Sequence, residues 1–331
     1  MPLYYNNIFK FWLHNAITDD NMKRVVSISL GSSKRDKSVE IELGGEKILV
    51  ERIGTDGNPD LMKEKFMELD GKVDFFSIGG LPLSVYVNGR DYNIPVVKKI
   101  TSNINTKIVD GKIPKQTLEW SIAEFIENNS KIMLKGKRGY MPSAVDRWFM
   151  ADSLEKAGVK MWYGDFASGL HVPIYLPSLK WVNFIAPLIL SAVLKRKDFR
   201  DLYPTGARQD EFKESNIKHL NNADIIAGDF LYIKENMPKN PEGKIIITNT
   251  TTADDVEELK KRGVSYLITT TPSYDGRSFG TNAMAAALFA VAYSRNKDLD
   301  SIIQEFPDAD TYIIKKYAED FNIKPEIKKL N

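Results

Sequence analysis

Residues 244–255, KIIITNTTTADD, constrain the fold of this chain more than any other stretch. Lys244–Thr248 is almost wholly β-branched, the composition of a strand covered on both faces, as in a parallel sheet. Asp254–Arg262 follows with apolar Val256 and Leu259, so strand gives way to helix within a few residues. Thr252 is placed to cap that helix with Asp255 as its partner three residues on, and Gly263 to end it. The next strand, Ser265–Thr269, begins at once. Such a βα unit leaves Asn249, Thr250 and Thr251 at the carboxyl end of a buried strand and beside the positive end of a helix dipole. Open α/β sheets bind ligands there, anionic ones especially.

The alternation recurs on both sides of this unit. Strands at Asp224–Ala227 and Tyr266–Thr270 and helices near Leu231–Asn236 and Asn282–Ser294 predict a Rossmann-like, mostly parallel sheet over residues 144–296. The last helix carries Ala283, Ala285, Ala286, Ala287 and Ala290, small enough to pack closely against that sheet. Residues 22–130 predict a first α/β domain with antiparallel hairpins: strands Val25–Leu30, Ser38–Leu43 and Lys47–Ile53, with Gly44–Gly45 as one hairpin turn and Asn88–Gly89 as another. A Gly- and Lys-rich stretch, 131–143, reads as the linker, and 297–331 as a C-terminal segment. Residues 1–21 lack the basic start and small-residue cleavage site of a secretory signal and read as a leader outside the fold. At 331 residues the chain is long enough for two cores by the ~150-residue domain prior.

Composition removes several classes of function. With 46 basic and 44 acidic residues the net charge is +2, so no global field calls for nucleic acid or a lipid surface. There is no cysteine, which excludes disulfides, thiolate metal sites and cysteine nucleophiles. The three histidines, His14, His171 and His219, are scattered, and no metal site is expected. No apolar run approaches the ~20 residues that span a bilayer. A cytoplasmic protein is expected, its partner a small anionic metabolite, with a homo-oligomer left open.

Four strand ends of the second domain finish in polar or glycine residues: Gly164-Asp165, Gly228-Asp229, Thr248–Thr251 and Thr269–Thr271. Parallel strands would gather them on one edge, where Asp165, Asp229, Thr248, Asn249, Thr250, Thr251, Thr270 and Thr271 form a polar rim for a nucleotide cofactor. Arg277 adds a planar donor fork for phosphate or carboxylate, balanced by the reading that it pairs with Asp275; Asn282 is placed to cap the last helix. In the first domain Ser32, Ser33 and Arg35 follow the opening strand and suit a substrate anion, although the same loop reads equally as a hairpin between Leu30 and Ser38. No G-x-G-x-x-G follows any strand, and no G-x-x-x-x-G-K-[ST] is present.

The segments SLGSSKRD (29–36), ERIGTDGN (51–58), DRWFMADSL (146–154), LYPTG (202–206), ADIIAGDF (223–230), KIIITNTTT (244–252) and LITTTPSYDGRSFGTN (267–282) together resemble a bacterial family labelled quinate 5-dehydrogenase. The resemblance runs from about Met22 to Tyr293. It implies NAD- or NADP-dependent oxidation of a cyclic polyhydroxy carboxylate such as quinate or shikimate, with cofactor and substrate on two domains. The Asn-Val-Thr-x-Pro-x-Lys stretch of quinate and shikimate dehydrogenases is absent, so no catalytic residue is carried over. A lysine–carboxylate pair would then serve as acid and base, and Lys34 with Asp56, both after strand ends of the first domain, is the expected pair. Two further readings stay open: an actin-like ATPase or kinase, and a non-catalytic sensor that closes on a small anion.

Overall fold

The computed structural model describes residues 22–196, 212–274, 277–278, 280–306 and 308–331. The expected leader, residues 202–206 and Asp275 lie outside these, and Arg277 is described in its backbone alone.

The protein is α/β, built on two sheets. In the first, β1 (Lys23–Ser29), β2 (Lys37–Leu43), β3 (Glu46–Gly54), β4 (Phe75–Gly79) and β7 (Ile108–Val109) are arranged β2-β3-β1-β4-β7, with the hairpin β5 (Ser84–Val87) and β6 (Arg90–Asn93) set apart. Gly44 and Gly45, at φ 60° and 83°, make the turn between β2 and β3, which run antiparallel. Asn88 and Gly89 turn the β5–β6 hairpin in the same way. β1 runs parallel to both of its neighbours, β3 and β4. The hairpin between Leu30 and Ser38 is thereby corrected, because β3 lies between β1 and β2. The cause is burial: Val25, Val26 and Ile28 are closed off on both faces, so β1 needs a partner on each side, whereas β2 alternates and suits an edge. Helix α1 (Pro59–Leu69), capped by the Asn58 side chain, covers one face with Met62 and Phe66, the latter edge-on to Phe76 with ring centroids 5.0 Å apart.

The second sheet holds β8 (Arg138–Met141), β9 (Lys160–Tyr163), β11 (Ile225–Ala227), β13 (Ile245–Thr248), β14 (Tyr266–Thr269) and β17 (Glu326–Lys329) in the order β9-β8-β11-β13-β14-β17. Two short ladders, β10 (Glu214–Ser215) with β12 (Met237–Pro238) and β15 (Ser273–Tyr274) with β16 (Arg277–Ser278), lie outside it. All pairs within the sheet are parallel except β14–β17. Helices α2 (Trp148–Lys156), α3 (Phe230–Glu235) and α4 (Ala253–Lys261) follow β8, β11 and β13. The chain winds one way from β8 to β9 and the other way from β11 onward, so the sheet's switch point lies between β8 and β11. Residues 138–141, inside the expected linker, are its strand β8: RGYM is short, and its Gly- and Lys-rich flank hides it, yet Tyr140 and Met141 are fully buried.

Helix α5 (Thr281–Arg295) was expected on the second sheet and instead covers the first. Phe289 stacks on Phe75 at 6.0 Å, and Ala286, Ala287, Leu288 and Val291 share a core with Val25, Ile48 and Val50. Its alanines admit close approach from several sides, with α6 (Ala309–Asp320) packed behind it. The chain therefore crosses from the second sheet to the first at Gly280 and returns as β17. Among the described residues no helix is long and apolar enough to cross a membrane, and no group of three or more His, Asp or Glu side chains could hold a metal ion.

Candidate functional site

The carboxyl ends of both sets of parallel strands face one cleft of about 170 Å³. From the first sheet come Ser29, Gly79 and Gly80; from the second, Asp146 and Arg147 after β8, Asp229 after β11, and Asn249 and Thr250 after β13. The start of α5, Gly280–Ala283, closes the remaining side. That approach depends on Gly111, where a Cβ would lie 2.3 Å from Thr281 Oγ1 and 3.0 Å from the Asn282 nitrogen. Among the described residues no side chain caps α5, and the dipole of this fifteen-residue helix is directed into the cleft. Asn282 braces this end from within, donating through Nδ2 to Ser27 Oγ at 2.8 Å.

A buried cluster of charges forms the opposite wall. Arg147 donates to Glu119 Oε1 at 2.5 Å, to Asp146 Oδ2 at 3.0 Å and to Asp229 Oδ2 at 2.6 Å, with its own side chain 5% exposed. One planar guanidinium thus joins a π-helical turn, Lys115–Glu119, to two strand ends of the second sheet. Lys115 Nζ, which also lines the cleft, donates to the Asp146 carbonyl at 2.9 Å and approaches Asp146 Oδ1 at 3.4 Å. Burial acts to raise Asp146, but Lys115 and Arg147 outweigh it and hold the carboxyl below its usual range. For Glu119 burial wins and the pKa is raised; its Oε2 has no hydrogen-bond partner among the described residues.

Of the residues singled out in the sequence, Asp229, Asn249, Thr250, Asn282 and Arg35 line this cleft. Asn249 is held rather than free: Nδ2 donates to Asp229 Oδ2 at 3.0 Å, and Oδ1 accepts from the Phe230 N–H at 3.3 Å. Thr250 Oγ1 is closed off from water and has no partner among the described residues. Thr248 donates to the Gly228 carbonyl and Thr271 to the Asn249 carbonyl, and both are fully buried, as are Thr251 and Thr270; these four stand behind the wall. Thr252 caps α4, and Asp255 returns the bond to complete the capping box. Ser33 donates its N–H to Asp56 Oδ1 at 2.7 Å, which holds Asp56 below its usual range. Ser32 Oγ accepts the Lys34 N–H at 3.3 Å. Lys34, Asp56, Ser32 and Ser33 therefore knit one loop together outside the cleft wall, and the lysine–carboxylate pair in that wall is Lys115 with Asp146. The sequence did not single out Lys115, Glu119, Asp146 or Arg147. Their one signal was the Asp146-Arg147 pair, unreadable as a strand end while β8 was read as linker.

Asp165 stands elsewhere, at the end of β9 and against a second cavity of about 90 Å³ walled by Val182, Ala186 and Leu190. Its Oδ1 accepts the Val145 N–H at 2.9 Å and lies 3.4 Å from Ser143 Oγ, while Oδ2 has no partner. Burial pushes this carboxyl up to about 6, against the pull of the backbone N–H groups of Val145 and Ala144.

The model of a family described as Domain of unknown function (DUF8754) matches residues 114–330, and the chain belongs to that family. A second, Domain of unknown function (DUF8753), matches residues 24–110. No curated protein matches the chain. Solved structures similar to it include a glutamate dehydrogenase, with 12% identity over 92% of this chain and 75% of that one at a TM-score of 0.42. An NAD-dependent malic enzyme from Thermotoga maritima shares 10% identity over 95% of this chain and 88% of its own at a TM-score of 0.33. At these scores the likeness bears on neither substrate nor cofactor.

Proposed function

We propose that this member of the DUF8754 family binds a small hydroxylated carboxylate in the cleft and holds one of its hydroxyl groups at Lys115, which is itself fixed by Asp146. The observation that carries the reading is the pairing of two unlike features across about 170 Å³: an uncapped helix start on one side, a lysine–carboxylate pair on the other. The ligand's carboxylate lies at the N–H groups of Thr281–Ala283, where the dipole favours negative charge. Its hydroxyl oxygen lies at Lys115, whose ammonium donates to it while Asp146 holds the ammonium in place. Thr250 has an enclosed hydroxyl without a partner, a state disfavoured by about 1–3 kcal/mol. A rotation about χ1 brings that hydroxyl to a ligand oxygen and relieves it.

Quinate and shikimate are the first ligands to try, by thermal shift and calorimetry. At ~100 times its dissociation constant a ligand adds about 2.7 kcal/mol of stability. Thr250→Val should weaken binding by about 1 kcal/mol, and Lys115→Met should weaken it by at least as much while the protein stays folded. Failure of every hydroxylated carboxylate to bind, with simple inorganic anions binding instead, would sink the proposal.

A second reading, NAD- or NADP-dependent oxidation of the same ligand, is favoured by the sheet order, which puts the cleft at the switch point. A dinucleotide laid over the turn after β8 does not fit the residues present. The Val145 N–H is held by Asp165, the Arg147 N–H by the Ala144 carbonyl at 3.1 Å, and the turn has no glycine. Reduction of NAD⁺ or NADP⁺ on mixing with quinate or shikimate decides for this reading.

A further inference from the structure

The turn that follows the first strand of a doubly wound sheet points backbone N–H groups at the switch point, where phosphorylated cofactors bind. Here that turn is residues 142–147, between β8 and α2. A carboxylate of the same chain already sits on it. Asp165 leaves the end of the adjacent strand β9 and folds back, so that Oδ1 takes the Val145 N–H at 2.9 Å beside Ser143 Oγ at 3.4 Å, with the Ala144 N–H also bonded to the carboxyl. We infer that Asp165 is a built-in anion surrogate that fills the phosphate position of the switch-point turn, and so makes this domain refuse nucleotide phosphates and select an unphosphorylated ligand in the cleft.

Three features support the inference. The carboxyl is enclosed, with Oδ2 shut off from water, so it is not a surface cap that solvent could replace. The two cations at the turn on the cleft side are already paired, Arg147 with Glu119, Asp146 and Asp229, and Lys115 with Asp146. An arriving pyrophosphate would meet an anion at its own site in a poorly hydrated place, where like charges separated by a few ångströms repel strongly. Asp at the end of a second strand can serve a cofactor's ribose, but only from a side chain turned outward; here the N–H groups hold it turned inward. The ionisable groups facing it are Tyr140 on β8 and Tyr163 on its own strand β9, whose phenols burial raises out of the titrating range, and among the described residues no cation pairs with the carboxylate.

The inference is independent of the identity of the cleft ligand, and its test reads phosphate binding alone. The probes are pyrophosphate, ADP, NAD⁺ and NADP⁺, titrated by calorimetry and by amide NMR of Val145. The wild-type protein should bind none of them at the turn, leaving the Val145 amide signal unmoved. Asp165→Ser, which shortens the side chain and frees the N–H groups, should gain pyrophosphate and ADP binding by at least tenfold, with a shift of that signal. Wild-type binding of any probe with displacement of the Val145 signal overturns the inference, and so does a folded Asp165→Ser variant that gains no affinity. Should Asp165→Ser not fold, Asp165→Ala, which removes acceptor and charge together, takes its place, and a gain there of less than tenfold also overturns it. Quinate or shikimate binding in the same samples reads the cleft separately, so failure of the surrogate and failure of the cleft reading are told apart.

Discussion

Asp165→Asn tests the same enclosed carboxyl through stability rather than binding. In the folded protein burial pushes the group up to about 6 from an ordinary 3.8, so between these values the folded state holds a proton that the unfolded chain has lost. Stability must then fall as pH rises through this window, present in full below about 3.8 and lost above about 6. The shift is 6 − 3.8, about 2.2 units, which at ~1.36 kcal/mol per unit amounts to roughly 3 kcal/mol. The variant cannot titrate, but its amide nitrogen must be accommodated where Oδ2 lacks a partner, which adds a constant offset of unknown sign. The difference in unfolding free energy, wild type minus variant, cancels every other titrating group, and its change with pH cancels that constant offset as well. Measured by urea unfolding at several values between pH 4 and 7.5, it should fall by roughly 3 kcal/mol as pH rises. Parallel curves would refute the argument, because they would mean that the carboxyl is hydrated in the folded protein and the enclosure is not real.

Arg147→Met leaves three carboxylates without their shared cation and should cost about 3–5 kcal/mol in urea unfolding; a loss under 1 kcal/mol would show that the cluster is solvated. Thr252→Ala removes the capping box of α4 and should cost about 1 kcal/mol, with affinity for the cleft ligand unchanged by calorimetry. Gly111→Ala places a Cβ 2.3 Å from Thr281 Oγ1, so α5 must shift; cleft affinity should fall more than the melting temperature, and equal loss of both would mean that α5 does not shape the cleft.

Much of this protein was settled by contacts a few residues apart. The run Lys244–Thr248 requires partners on both sides, because a strand apolar on both faces is stable only when covered twice. The Thr252–Asp255 box, the stop at Gly263 with φ 79°, and the Gly44–Gly45 turn all depend on backbone geometry within four residues, and the sequence states them directly. Tertiary structure alone decided what those elements meet. Lys115 and Asp146 are 31 residues apart, and Arg147 and Asp229 are 82 apart; neither pair has a local signature, since the first exists only where the π-helical turn meets the end of β8 and the second only where the ends of β8 and β11 converge. Helix α5 shows the same limit. Its alanines declare that it packs closely, but they fit either sheet equally well, and only the crossing at Gly280 and the match of Phe289 to Phe75 place it on the first. Asp165 reads in sequence as a rim residue facing a ligand, and the backbone N–H groups of Ala144 and Val145, brought beside it by the β8–β9 pairing, turn it inward instead.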